Sequence, residues 1–210
     1  LNKDYPNKYH IRNLGLPGGT TSEAISFASF YDYHISKSRY PICSIHYHGW
    51  NDLRNNYVPN LNPSFSNWHI LNQTNRGHIF GSSYSSLVAF SKYIASISIK
   101  YNKIPYEKNA IVKNPPQNLD PSLKQIILLN LNSIKALSNK EGGKLLLVPQ
   151  ILNPDGFQNS SRYGWLPNVN DDKVLELIRE LNILINNYAN KTNSLFAEKI
   201  KQDLFESKDF

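Results

Sequence analysis

The sequence predicts an α/β domain, a parallel sheet with helices on both of its faces. Three observations carry this reading. Short, continuously apolar segments alternate with longer segments whose apolar residues recur every three or four positions. The short segments lack the polar–apolar alternation of a strand with one wet face, so they read as strands covered on both sides. Capping residues and glycines fall between the two kinds of segment, where helices must start and strands must turn. A chain of 210 residues, 40% of them hydrophobic, is long enough to close one such domain around a core.

The elements follow in order. "YHIRNLGL", Tyr9 to Leu16, reads as a strand that runs into the glycine-rich turn "GLPGGTTSEA". Thr20, Thr21 or Ser22 can cap the next helix, and Thr20 with Glu23 has capping-box spacing. That helix carries Ala24, Ile25, Phe27, Ala28, Phe30 and Tyr31. "YPICSIHYH" is apolar enough to be a largely buried strand. Residues 54 to 80 have no period and many Asn, Pro and Ser, as a long binding loop or lid would. A helix is expected over Ser83 to Lys100, then an irregular stretch over 101 to 119. "DPSLKQIILLNLNSIKALSNKEGG" is a helix with Asp120 as cap, Pro121 at its first position and Gly142–Gly143 at its end. "KLLLVPQIL" is a strand, and a loop with Pro154, Gly156, Gly164 and Pro167 follows it. A helix begins near Asp171, with Val174, Leu177, Ile178, Leu181, Leu184, Ile185 and Tyr188 on one face. "SLFAEKIKQDLF" reads as a short amphipathic helix.

Charge and cysteine content narrow the function classes. The formal net charge is +7 and the isoelectric point about 9.3. The 23 Lys and Arg residues are scattered without a basic run, so no nucleic-acid partner is expected. Cys43 is the sole cysteine, which excludes an internal disulfide framework and a cysteine zinc site. Within its apolar segment it is expected to be a small buried side chain. No apolar run reaches the roughly 18 residues of a membrane-spanning helix.

The run "HYHGWNDLRN", residues 46 to 55, places small polar residues directly after an apolar strand. Gly49, Asn51 and Asp52 are turn formers, and a plain turn is one reading. The other is that Asn51 is held at a strand end to donate a hydrogen bond to a ligand. In open parallel sheets ligands bind beyond the carboxyl ends of the strands. The turns Gly18–Gly19–Thr20 and Gly49–Trp50–Asn51–Asp52 would face one crevice if their strands are neighbours. His46 and His48 alternate on one strand and share a face, but two imidazoles are too few for a metal site, and none is expected. His69 and His78 fall in the long loop. Ser44 sits within a strand, and Ser82, Ser83, Ser85 and Ser86 fit helix caps.

"NLGLPGGTTSEA" followed by "HYHGWNDL" resembles two sequence blocks of the SGNH (GDSL-type) hydrolases. "KLLLVPQIL", "VLELIRELNILINNYA" and "LFAEKI" are similar to the second half of that family, so the resemblance spans nearly the whole chain. It implies a flavodoxin-like three-layer α/β/α sandwich, residues 1–210 being one domain. It also implies ester hydrolysis by a Ser-His-Asp triad, with no cofactor, acting on a small-molecule, glycan or lipid ester. The oxyanion would be held by the backbone N–H of Gly18, the side-chain amide of Asn51 and the Ser backbone N–H. Trp50 and Gly19 would line the substrate pocket, and Asp52 would brace the turn. The family's Gly-Asp-Ser and Asp-x-x-His blocks do not occur in the 210 residues. With no methionine and a first residue other than Met, the expectation is that segments are missing at the amino terminus and near 190–194. Two other classes follow from the same residues: a non-catalytic carbohydrate- or lipid-binding protein on this scaffold, and a basic polyanion-binding α/β domain. A secreted, cell-envelope or cytoplasmic location is compatible with the resemblance, and the oligomeric state is open.

Overall fold

The computed structural model describes residues 13, 15, 19–30, 41–59, 61, 112–153, 166 and 168–197. The predicted strand Tyr9 to Leu16, the helix Ser83 to Lys100 and the bulk of both long loops lie outside these residues. Among them, helix α1 spans Thr21–Phe30, strand β1 Cys43–His46, helix α2 Pro121–Ser138, strand β2 Lys144–Leu147, helix α3 Val174–Thr192 and strand β3 Leu195–Phe196. The strands are parallel in the order β1-β2-β3, so this part of the chain is an α/β fold built on a three-stranded parallel sheet.

The helix ends are set by local chemistry. At α1 the predicted capping box forms: Thr20 N–H donates to Glu23 Oε2 at 2.8 Å, and Glu23 N–H to Thr20 Oγ1 at 3.5 Å. At α2 the Asp120 carboxylate accepts from Ser122 N–H at 2.8 Å, and Pro121 opens the helix. The helix ends at Ser138, and a 3-10 turn over Lys140–Gly142 completes the stop. Gly142 there has φ +82°, which only glycine adopts without strain. A 3-10 turn over Asp171–Lys173 leads into α3. Asn193 closes α3 in the left-handed conformation, φ 51° and ψ 41°, and Ser194 N–H reaches back to Ala189 O at 2.9 Å.

That sharp stop sends the chain directly into β3. Leu195 pairs with Leu146 and Phe196 with Leu147, and Ala197 N–H donates to Leu147 O at 3.0 Å. The sequence reading began a helix here. The correction has a plain cause: the ladder of β2 offers unpaired backbone groups, and two residues satisfy them without any helical period to announce it. The rest of that predicted helix lies outside the described residues.

Helices α2 and α3 lie side by side and run parallel. Lys124 pairs with Glu180 at 3.7 Å, Tyr188 Oη donates to Asn132 Oδ1 at 3.0 Å, and Lys135 Nζ donates to the Thr192 carbonyl. Both helices pack on one face of the sheet. Leu145 and Leu147 point into that face and are buried, as are Leu123, Ile127, Leu131 and Ile134 of α2 and Leu177, Leu181 and Ile185 of α3. Six of the seven predicted stripe residues of α3 are buried, and Leu184 packs against the same core.

The opposite face differs from expectation. Ile45, Leu146 and Leu195 form a row across the three strands. Ile45 is 65% exposed and Leu195 48%, with Tyr47 at 51% beside them. Cys43 shares this face and is exposed rather than buried. β1 is therefore not buried on both sides among the described residues; the described helices cover one face, and alternation puts Cys43 and Ile45 on the other. Phe27 of α1 is also exposed, at 38%, while Ala24 supplies the buried contact.

One-sided packing gives a direct test. Leu177→Ala, at a site with no exposure, should lower unfolding free energy by about 2–5 kcal/mol in urea titration. Leu195→Ala on the open face should change it by less than about 1 kcal/mol.

Candidate functional site

The turn after β1 is built to hold a tight conformation. Gly49 has φ +132°, a backbone state that L side chains rarely adopt. A Cβ there would also lie 2.6 Å from Leu181 Cδ2 of α3. The chain then makes a short 3-10 turn over Asp52–Asn55, with Leu53 N–H donating to Gly49 O at 3.1 Å and Arg54 N–H to Asn51 O at 3.3 Å. Asn51 is its first flanking residue, at φ −72° and ψ −26°.

Two bridges tie this turn to the start of α1. Asn51 Nδ2 donates to the Gly19 carbonyl at 3.0 Å. Thr21 N–H donates to both Asp52 carboxylate oxygens, at 3.2 and 3.1 Å, and Thr21 Oγ1 donates to Oδ1 at 2.5 Å. Asp52 and Thr21 are buried. The bridges place Gly19 and Thr21 against the turn after β1; the strand expected before α1, on which a shared crevice depends, lies outside the described residues. From α2, Asn130 Nδ2 donates to Thr21 Oγ1 at 2.8 Å and Ser22 Oγ at 3.1 Å. From the β2 side, Gln150 Nε2 donates to the His48 carbonyl at 3.1 Å. Asn182 of α3 in turn grips the Gln150 backbone, donating to its carbonyl and accepting from its N–H, both at 2.8 Å.

The proposed site residues fare differently. Asn51 is half-buried at the carboxyl end of β1, with one amide hydrogen on the Gly19 carbonyl; a primary amide carries two. Gly19 is buried, and its carbonyl is the acceptor for Asn51. Trp50 is half-buried and packs against the hydrophobic core. Gly18 lies outside the described residues. Thr21 reads from sequence only as a candidate helix cap, and Asn130 and Gln150 are not singled out. Asn130 was detectable, since it falls three residues after Ile127 and four before Ile134, a polar residue on a buried stripe.

His46 and His48 share a face, their ring centroids 5.5 Å apart. They border a small cavity of about 10 Å³, room for one water molecule at most, with Thr21, Ile127, Leu131 and Ile185. His46 Nδ1 is buried with no hydrogen-bond partner among the described residues. Burial, and then the neighbouring His48, lower the His46 pKa to about 4. Burial lowers His48 as well, against the opposing pull of Glu23. Both imidazoles are thus neutral at pH 7. Burial pushes Asp52 the other way, up to about 6, although the Thr21 bonds favour its charged form. Among the described residues no three His, Cys, Asp or Glu side chains converge as a metal site would require, and no helix is long and apolar enough to cross a membrane.

No protein-family model, curated protein or solved structure matches the chain.

The opposed shifts predict opposite pH slopes. Between pH 4 and 6 the folded chain keeps the Asp52 proton that the unfolded chain releases, so this group's contribution to stability falls as pH rises. The full effect is on the order of 3 kcal/mol. His46 does the reverse: from pH 6.5 down to 4 the unfolded chain takes up a proton that the folded chain refuses, and stability falls as pH falls. Asp52→Asn should therefore make the protein lose stability more steeply on acidification, and His46→Phe less steeply, read from urea midpoints at pH 4.5 and 7. Gly49→Ala should lower unfolding free energy by about 1–3 kcal/mol from its backbone conformation alone. Adding Leu181→Ala should not restore it.

Proposed function

We propose that the protein is an SGNH-type ester hydrolase, with Asn51 as one donor of its oxyanion hole. The supporting observation is the placement of the Asn51 amide. It stands at the carboxyl end of a parallel strand, with one N–H anchored on the Gly19 carbonyl. An anchored amide with a second hydrogen to offer is a preorganised donor, which meets charge developing in a transition state without reorganising. On this reading the complete fold is the flavodoxin-like three-layer sandwich, and Gly18 supplies a backbone N–H to the same oxyanion. Trp50 and Gly19 border the acyl group.

The chemistry is acyl transfer. A serine oxygen bonds to the ester carbonyl carbon, its proton passes to a histidine, and the carbonyl π pair moves to the oxygen that Asn51 faces. Collapse expels the alcohol, which takes the proton from the histidine, and water repeats the sequence to release the acid. No described residue is assigned as that serine or histidine. The substrate class is an ester-linked acyl group on a small molecule, sugar or lipid.

The test is turnover of a chromogenic acetyl ester by the full-length protein. Asn51→Ala and the near-isosteric Asn51→Asp, which has no amide donor, should each lower kcat by on the order of 10²- to 10³-fold with little change in KM. Full activity in both variants would remove Asn51 from the oxyanion hole. A wild-type protein that binds an acetylated glycan or a lipid without turning it over would be a non-catalytic binding protein instead.

A further inference from the structure

Asn130 lies mid-helix on the buried face of α2, among Ile127, Leu131 and Ile134. A buried amide without partners would cost about 1–3 kcal/mol, so a polar residue here needs a specific use. Its Nδ2 spans two residues of another helix, donating to Thr21 Oγ1 and Ser22 Oγ. The Thr21 hydroxyl receives that bond and gives its own proton to Asp52 Oδ1. Asp52 is bonded through the chain to Asn51, and Asn51 reaches back to the carbonyl of Gly19, two residues before Thr21. These contacts close a ring: Asn51 to Gly19, along the chain to Thr21, across to Asp52, and back to Asn51. Asn130 fastens that ring to α2. The bonds from Asn130 through Thr21 to Asp52 all run in one direction, and such chains polarise and strengthen one another.

We propose that Asn130 is a positioning residue for the Asn51 amide, acting through the Thr21 hydroxyl and the Asp52 carboxylate. Its geometric consequence stands by itself; its effect on turnover rests on the reading of Asn51 as an oxyanion donor.

The test has one readout for each consequence. The side-chain amide of Asn51 is identified in a nitrogen–proton spectrum by its disappearance in Asn51→Ala. In Asn130→Ala its hydrogens should exchange with solvent about tenfold faster, because small displacements of a fixed group have large effects. Thr21→Val removes the connecting hydroxyl at nearly constant shape and should do the same, while Thr21→Ser should behave as wild type. The double variant Asn130→Ala/Thr21→Val should be no worse than either single one, since both cut the same path. With an acetyl ester, both single variants should lower kcat about tenfold and leave KM within about twofold.

Unchanged Asn51 exchange in both single variants, or fully additive losses in the double, would overturn the proposal. So would full kcat in Asn130→Ala beside a collapsed kcat in Asn51→Ala. If Asn51→Ala keeps full kcat, the oxyanion reading has failed, and the amide exchange alone decides the role of Asn130. Thr21→Ser keeps these outcomes readable should Asn130→Ala fold poorly, because a Thr21→Val effect rescued by Ser isolates the hydroxyl.

Discussion

The contact between Thr21 and the buried Asp52 carboxylate is the constraint on which the rest of the site depends. Thirty-one residues of chain separate the two. Three donor contacts from a single residue hold one carboxylate, two from its N–H and one from its hydroxyl. The same contact satisfies an N–H at the buried start of α1 that no helical carbonyl can reach, and places negative charge where the helix dipole favours it. Burial nevertheless raises the Asp52 pKa, so desolvation outweighs three favourable bonds. A carboxyl kept at that expense is there for geometry: it joins the turn before α1 to the turn after β1, and Asn51 completes the join from the adjacent position.

The turn after β1 is held from several sides by side chains that imitate backbone. Asn182 grips the Gln150 peptide as both donor and acceptor. Asn168 receives Val112 N–H and donates to the carbonyls of Asn56 and Tyr57. Asn56 donates to Asn118 O and accepts from Asp120 N–H, which ties the turn to the cap of α2. An abundance of asparagine reads in the sequence as a bias toward turns. In the fold these amides carry hydrogen bonds for loop backbone that no strand or helix satisfies. The packing side of the same turn is the Gly49–Leu181 contact, so α3 limits it sterically while α2 limits it by hydrogen bonds.

The sheet is asymmetric among the described residues. One face is filled by parallel α2 and α3, and the other shows the row Ile45, Leu146 and Leu195 with Cys43 beside it. The two half-buried histidines lie on the filled face, where their neutral forms fit the apolar surroundings. The titrations of His46 and Asp52 act in one pH window with opposite signs, which flattens the net pH dependence of this end of the sheet.

What the sequence determined by itself was local. The Thr20–Glu23 capping box, the Asp120–Pro121 helix start and the apolar stripe from Val174 to Tyr188 all rest on interactions within a few residues, and they stand as expected. The Gly49–Asp52 turn was legible for the same reason, because Gly49 and the short polar residues after it restrict backbone geometry wherever they occur. Tertiary structure decided the rest. Whether an apolar strand is covered on one face or two depends on which helices cross it, so Cys43 and Ile45 could not be placed from their segment. β3 has two residues, too few for any period, and exists because β2 presents an open ladder. Asn130 gained its meaning from Thr21, 109 residues away. A polar residue on a buried stripe announces that it needs a partner, but only the packing of α1 on α2 says which one.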